Sequence, residues 1–169
     1  NNDLNVIVYN FVDMLSHART EMEVLKELAS DETAYRSITR SWFDHSPLFT
    51  ALKKIAEKKV KVIITTDHGT IRVNSPSKVI ADRNATTNLR YKSGKNLQFN
   101  KKDVLEVKSP EAAGLPRNNV SSSYIFAKGD SFFAYPNNYN YYVNYFKNTF
   151  QHGGISLEEM IIPFAVYKT

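Results

Sequence analysis

The sequence predicts an α/β fold built on a mainly parallel central sheet. Three observations predict it: two runs rich in β-branched residues, the helical patterns between them, and a carboxylate directly after each run. A strand, helices and a second strand in this order are typical of a right-handed parallel crossover. A chain of 169 residues is long enough to bury one core, so we expect a single domain over residues 1–169.

The first half of the chain supplies both strands and the helices between them. The apolar run 4–12 is interrupted only by asparagines, as in a strand buried on both faces. Helical patterns follow at 21–29 and 34–42, and Ser46 with Pro47 forms the start of another helix. The β-branched run 60–66 is the second strand. It stops at an Asp-His-Gly sequence, on the sheet edge where α/β folds bind ligands.

The middle of the chain is less regular. We interpret residues 72–119 as an insertion or rim, in which only residues 104–107 have a strand pattern. The apolar segments 124–127 and 132–135 are joined by a Lys-Gly-Asp-Ser turn and predict a β-hairpin. The tyrosine-rich segment 137–145 has partly helical spacing, which is more typical of a core than of a nucleobase platform.

The end of the chain predicts a short helix and a final strand. Ser156 and Glu159 form a capping box, in which the serine caps the helix and the glutamate reaches back to it. Pro163 is tolerable at the start of a strand over residues 163–167 or on an edge.

The amino-acid composition limits which cross-links and metal sites the chain can form. The chain has no cysteine, so disulfides and thiolate metal sites are excluded and any transition metal must be held by His and carboxylates. The absence fits a reducing compartment, and we expect a cytoplasmic location. No run approaches the ~20 apolar residues that cross a bilayer, so no membrane partner is expected. Because the chain opens on Asn1, without an initiating Met or a signal segment, we expect it to be a piece of a longer protein.

The net charge of +5 favours anionic partners such as phosphate esters or nucleic acid. The excess is concentrated between residues 72 and 108, where nine cations face three acids. A solvated basic loop and a phosphate-facing rim both explain this pattern. The cations are Arg72, Lys78, Arg83, Arg90, Lys92, Lys95, Lys101, Lys102 and Lys108.

Three short motifs carry the candidate chemistry. Asp13 and His17 are four residues apart, Asp67 and His68 are adjacent at a strand end, and His152 precedes two glycines. Each motif can also be explained without a metal, since Asp-His pairs occur by chance and a His-Gly-Gly sequence can be a polar turn. Together they hold three of the four histidines, and this combination is more specific than any part.

Other polar residues near these motifs have supporting roles. His45 lies just before a capped helix, which favours a structural or surface role. Thr66 and Thr70 flank the Asp-His pair, and we expect them to orient its backbone and side chains rather than to act as nucleophiles.

The order of these motifs resembles the metal ligands of the alkaline phosphatase superfamily. The closing sequence 152–163, His-Gly-Gly-Ile-Ser-Leu-Glu-Glu-Met-Ile-Ile-Pro, is similar to the end of its PglZ branch. Residues 42–48 and 83–92 further resemble the PglZ domain of PorX-type response regulators, which are linked to type IX secretion in Bacteroidetes.

The resemblance implies an alkaline-phosphatase-like three-layer sandwich and two zinc ions. It assigns Asp13, His17 and His152 to one ion, and Asp67 with His68 to the other. Two ions roughly 4 Å apart can hold the attacking and leaving oxygens of an in-line phosphoryl displacement.

The family pattern also includes an upstream Asp ligand and a Thr or Ser nucleophile at a helix start. No residue before Asp13 fits, because Asp3 precedes the predicted strand and lacks the expected Thr after it. The resemblance therefore covers the downstream part of the domain. We expect no catalytic nucleophile in this chain and little activity from it alone, with the upstream half and a receiver domain as partners.

Three functions follow as hypotheses. The first is a zinc-dependent phosphodiesterase or phosphatase acting on nucleotides or oligonucleotides, as the output domain of a two-component response regulator. The second is a zinc-stabilised signalling module that forms a homodimer or binds a partner with little catalysis. The third, based on charge alone, is a nucleic-acid-binding domain.

Overall fold

The computed structural model describes residues 3–117 and 119–168. Asn1 and Asn2 of the chain opening, Asn118 of the predicted insertion, and Thr169 lie outside the described residues. The chain divides into two compact units, one up to Val60 and one over residues 61–168.

The first unit is helical, and its helices confirm most of the predicted ones. Ser46 caps the fourth helix by accepting a hydrogen bond from the Phe49 N–H at 3.1 Å, with Pro47 as the first helical residue. The helix predicted over residues 21–29 is divided at Met22. The helices are α1 (Phe11–Glu21), α2 (Glu23–Leu28), α3 (Glu32–His45) and α4 (Pro47–Ala56).

The strand predicted over residues 4–12 is wrong. Residues 4–10 form no regular structure, Phe11 begins α1, and side chains such as Leu4 and Val8 are 77% and 79% exposed. A strand needs backbone partners, and none of the described residues pairs with this segment. Asp13 therefore lies in the first turn of α1, not beyond a strand, and the predicted crossover is not formed.

Within the residues that the structure describes, the second unit contains nine short strands in four small sheets. The sheets are β1–β9, β2–β8, β3–β7 and β4–β6–β5. The strands are β1 (Lys61–Thr65), β2 (Ile71–Arg72), β3 (Ser75–Lys78), β4 (Tyr91–Gly94), β5 (Val104–Val107), β6 (Ser123–Ala127), β7 (Ser131–Ala134), β8 (Phe150–Gln151) and β9 (Phe164–Lys168).

The mixed α/β character fits the predicted class, but the three-layer sandwich with a mainly parallel central sheet is not confirmed, because most of the described strand pairs are antiparallel. The second predicted strand forms as β1 and the final one as β9, and the two pair antiparallel, with Thr65 opposite Phe164. Among the described strands only β3 and β7 run parallel. The segment expected to lie beside β1 is not a strand, so β1 has no parallel neighbour among the described residues.

The core of the second unit lies on the three-stranded sheet. Val79, Val104, Ile125, Ala127 and Phe133 pack together with at most 3% exposure. The predicted insertion at 72–119 therefore has more order than its composition indicates. It contributes β3, β4 and a 3-10 helix (Pro110–Ala113), besides the strand β5 that the sequence predicts.

Two predictions for the segment between β6 and the late histidine need correction. The strands β6 and β7 exist, but they do not form a hairpin, because β6 pairs with β4 and β5 while β7 pairs with β3. The tyrosine-rich segment is helical, as α5 (Tyr139–Phe146), yet none of its residues is buried. Tyr141 is 63% exposed, so the expectation of a core role is wrong for this residue.

The last helix, α6 (Leu157–Met160), follows Ser156 as predicted. Of the helices within the described parts of the chain, none has the length and apolar character needed to span a bilayer.

Candidate metal centre

Two strand pairings bring the Asp67-His68 turn beside the turn that contains His152. Because Thr65 pairs with Phe164 in an antiparallel register, the residues after β1 lie next to the residues before β9. On the other side of the turn, Ile71 pairs with Gln151, so β8 ends where His152 begins. Segments far apart in sequence therefore meet at one place.

The Asp67-His68-Gly69 turn is fixed closely against α6. The Gly69 N–H donates to the Glu159 carbonyl oxygen at 3.0 Å. A Cβ atom at position 69 would lie 1.9 Å from the carbonyl oxygen of Glu158, so only glycine allows this approach. Thr65 adds a hydrogen bond from its hydroxyl to the Pro163 carbonyl oxygen at 2.9 Å.

The Asp67 carboxylate is ionised and open to solvent. Hydrogen bonding from its own backbone lowers the pKa of Asp67, and this outweighs the small effect of burial; the nearby His68 and Thr66 lower the pKa further. Its Oδ1 accepts the His68 N–H at 3.1 Å and the Thr66 hydroxyl at 3.3 Å. With 87% of the side chain exposed, this carboxylate is accessible to an ion.

The His68 ring has a defined orientation. Its Nδ1 lies 3.0 Å from the Gly69 carbonyl oxygen, and because a carbonyl can only accept, Nδ1 carries the proton. In a neutral ring the lone pair is then on Nε2, which lies 3.8 Å from Asp67 Oδ1. Metal-binding histidines commonly make such a bond from the second ring nitrogen to a carbonyl oxygen.

The ring of His152 stacks on that of His68. Their centroids are 3.9 Å apart and their planes differ by 11°. Gly153 follows with a φ of 103°, a left-handed conformation that favours glycine and turns the chain directly after His152. The structure therefore brings His68 and His152 together in the second unit.

Asp13 and His17 form a pair in the first unit. Both lie on one face of α1, and Asp13 Oδ1 is 3.6 Å from His17 Nε2. α1 is held to α3 by a stack of Phe11 on Trp42 with centroids 3.9 Å apart, and by a 2.6 Å contact between the hydroxyls of Ser16 and Tyr35. The assignment of this pair and His152 to one ion stays a prediction.

The structure agrees with the roles predicted for Thr66 and His45 and contradicts those predicted for Arg90 and Lys92. Thr66 does orient the turn, since its hydroxyl also donates to the His68 carbonyl oxygen at 3.0 Å. His45 is exposed at the end of α3, with Nδ1 2.8 Å from the Ser41 carbonyl oxygen. Arg90 and Lys92 are 0% and 1% exposed, so for these two cations both a solvated loop and a phosphate-facing rim are wrong.

The comparisons with known proteins agree with this arrangement of motifs. Over residues 1–167 the chain matches the family described as the BREX system PglZ alkaline phosphatase-like domain. The chain belongs to this family. No curated protein matches it.

As an alkaline-phosphatase-like PglZ domain, the chain belongs among the phosphoesterase-type hydrolases, whose superfamily usually binds metal ions. The carboxylates and imidazoles of the two Asp-His pairs, together with the imidazole of His152, could hold such ions. The sequence does not predict the buried Arg90–Glu159 pair, whose carboxylate bonds the turn that follows His152. The capping box indicates only that Glu159 reaches back to the start of its own helix.

Proposed function

We propose that this PglZ domain forms part of the active site of a zinc-dependent phosphoric ester hydrolase that acts on nucleotides or oligonucleotides. The observation that carries the proposal is the meeting of two histidine turns, where the His68 and His152 rings lie 3.9 Å apart. The alkaline-phosphatase-like family supports the class of reaction.

The donor atoms fit zinc. Without cysteine, the available ligands are carboxylate oxygen and imidazole nitrogen, both of which zinc accepts. Two ligand atoms on one tetrahedral zinc are roughly 3.4 Å apart, given the usual bond lengths. The donor atoms of Asp67 and His68 are 3.8 Å apart and those of Asp13 and His17 are 3.6 Å apart, so small side-chain movements suffice.

In this proposal Asp13, His17 and His152 hold one zinc ion, and Asp67 with His68 hold the second. The motif order of the family supports this division. When bound, the ions polarise a phosphoryl oxygen and offset the charge that develops during transfer. In this proposal the further Asp ligand and the Thr or Ser nucleophile of the family pattern are not supplied by this chain.

In this proposal, residues of the chain outside the metal ligands have two roles. They orient the Asp67-His68 turn, and they attract the anionic substrate. The Thr66 hydroxyl lies within hydrogen-bond distance of Asp67 Oδ1 and of the His68 carbonyl oxygen, and in this proposal it orients the turn rather than acting as the nucleophile. The exposed cations between residues 72 and 108, which exclude Arg90 and Lys92, attract the anionic substrate. They include Lys78, Arg83, Lys95, Lys101, Lys102 and Lys108.

The test compares three alanine variants of the protein in its full natural length. We expect His68→Ala and His152→Ala to lower phosphodiester hydrolysis at least about 100-fold and to lower zinc content. His45→Ala is the matched control, because this exposed histidine lies outside the two histidine turns and bonds the Ser41 carbonyl oxygen of its own helix, and it should leave both unchanged. Full activity in both site variants would refute the assignment.

A second function is favoured by exposed apolar side chains. Ile63 of β1, Phe164 of β9 and Ile161 are 52%, 67% and 68% exposed, which fits an interaction surface. The likeness to response-regulator output domains supports a zinc-stabilised signalling module that forms a homodimer, in a type IX secretion context. This function holds if chelation of zinc unfolds the domain and dissociates the dimer, while the zinc-loaded protein hydrolyses no phosphate ester.

A further inference from the structure

Arg90 and Glu159 form a buried ion pair in the second unit. Their side chains are 0% and 2% exposed. Arg90 Nε donates to Glu159 Oε1 at 2.9 Å and Nη2 donates to Oε2 at 2.6 Å, so the contact is bidentate. Because removing two charges from water is costly, burial of this pair calls for an explanation beyond stability.

The Glu159 carboxylate also holds the turn that contains His152. Its Oε1 accepts the Gly154 N–H at 2.8 Å, and its Oε2 accepts the Ser156 N–H at 3.1 Å. Gly154 is two residues after the histidine. The carboxylate therefore fixes the backbone path that leaves His152.

The backbone of Glu159 holds the other histidine turn. Its carbonyl oxygen accepts the Gly69 N–H at 3.0 Å, and Gly69 directly follows His68. The Gly69 carbonyl in turn accepts from His68 Nδ1. One residue is thus bonded to the backbone at both histidine turns.

Arg90 connects this arrangement to the core sheet. Beyond the carboxylate, its guanidinium donates to three carbonyl oxygens at the connection from β6 to β7: Gly129 at 2.8 Å, Ala127 at 3.4 Å, and Ser131. Ala127 belongs to the buried core. Glu159 is therefore connected through Arg90 to the buried core of the unit.

We propose that Arg90 and Glu159 are positioning residues that fix the His68 and His152 turns relative to each other, so that both imidazoles are presented to metal in one geometry. This inference rests on the proposed function for the identity of the metal. Neither residue contacts the substrate in this proposal. They act through the backbone of the two turns.

The experiment uses Glu159→Gln in the full-length protein, with zinc alone as the probe. The amide has the shape of the carboxylate but turns an NH₂ group toward donors, so part of the arrangement must open. We expect zinc affinity at neutral pH to fall about 10- to 100-fold. The matched control is Glu111→Gln, which breaks the exposed 2.7 Å pair between Arg117 and Glu111 and should leave zinc affinity unchanged.

A second readout needs no metal. In the zinc-free protein, the stacked rings shift each other's imidazole proton signals in NMR spectra, and His152→Ala identifies the affected His68 signals. We expect Glu159→Gln to change these ring-current shifts and the control to preserve them. If Glu159→Gln does not fold, Glu159→Asp serves instead, since it keeps the charge but is too short for all partners.

The outcomes separate the two proposals. If Glu159→Gln keeps zinc affinity and ring signals while only its unfolding midpoint falls, the pair supports the fold alone and positioning is refuted. If the wild-type protein binds no zinc, the proposed function fails, yet the ring signals still decide whether the pair positions the two turns.

Discussion

Replacing Arg90 with Met measures the cost of leaving the Glu159 carboxylate buried without its cation. The variant removes every guanidinium donor, leaving the Glu159 carboxylate with the Gly154 and Ser156 N–H groups in a site where its side chain is 2% exposed. Leaving one partner of a buried ion pair alone costs about 3–5 kcal/mol. Removing one partner of an exposed pair costs about 1 kcal/mol or less, as expected for Arg117→Met.

Urea denaturation followed by tyrosine fluorescence is the assay, because most of the tyrosines lie in the second unit. Fluorescence of the single tryptophan is unsuitable, because Trp42 lies in the first unit while Arg90 lies in the second. With a slope of about 2 kcal/mol per molar urea, Arg90→Met should lower the midpoint by about 2 M.

The result that refutes this reasoning is an Arg90→Met midpoint no lower than that of Arg117→Met. A further check is the double variant Arg90→Met with Glu159→Leu. Because it removes the unpaired carboxylate as well, it should be more stable than Arg90→Met alone.

Three more outcomes follow. Gly69→Ala places a Cβ 1.9 Å from the Glu158 carbonyl oxygen, so it should cost about 2–3 kcal/mol in urea unfolding; wild-type stability would contradict the close approach. Burial lowers the pKa of Lys92 to about 8, below the unfolded value of about 10.4, so the free energy of unfolding should rise by about 2–3 kcal/mol between pH 8 and about pH 10. Lys92→Met should lack that rise. Burial raises the pKa of Glu159, but the hydrogen bonds from Arg90 and Gly154 lower it more, so the net pKa of Glu159 is lowered. The protein should therefore lose free energy of unfolding as the pH falls below about 4. Glu159→Gln should lose less of its free energy of unfolding over the same pH range.

The parts of the fold that the sequence predicts correctly depend on local interactions. The helix after Ser46 forms because the cap and Pro47 act within one turn, and α6 follows Ser156 for a similar reason. The run 4–12 is rich in strand-forming residues, as is the run 60–66, but only the second run forms a strand. Composition does not decide this, because a strand depends on backbone partners elsewhere in the chain.

The candidate site, too, is predictable from the sequence only where neighbouring residues form it. An Asp-His pair directly after a β-branched run indicates a polar strand end, and the structure places Asp67 and His68 there. Composition alone places Arg90 and Lys92 among the surface charges, because most Lys and Arg are exposed. Their burial depends on partners in other segments, such as Glu159 for Arg90, and no local pattern reveals that pairing.

The antiparallel register of β1 and β9 limits how sequences of this type can vary in length. Phe164 is held opposite Thr65, and Gln151 opposite Ile71, so both ends of the segment between β8 and β9 are fixed. One added or deleted residue there would slip β9 and turn its side chains to the opposite faces, or else move the late histidine away from its partner. Natural insertions and deletions should therefore accumulate in the loops of residues 72–119 and be absent between Gln151 and Phe164.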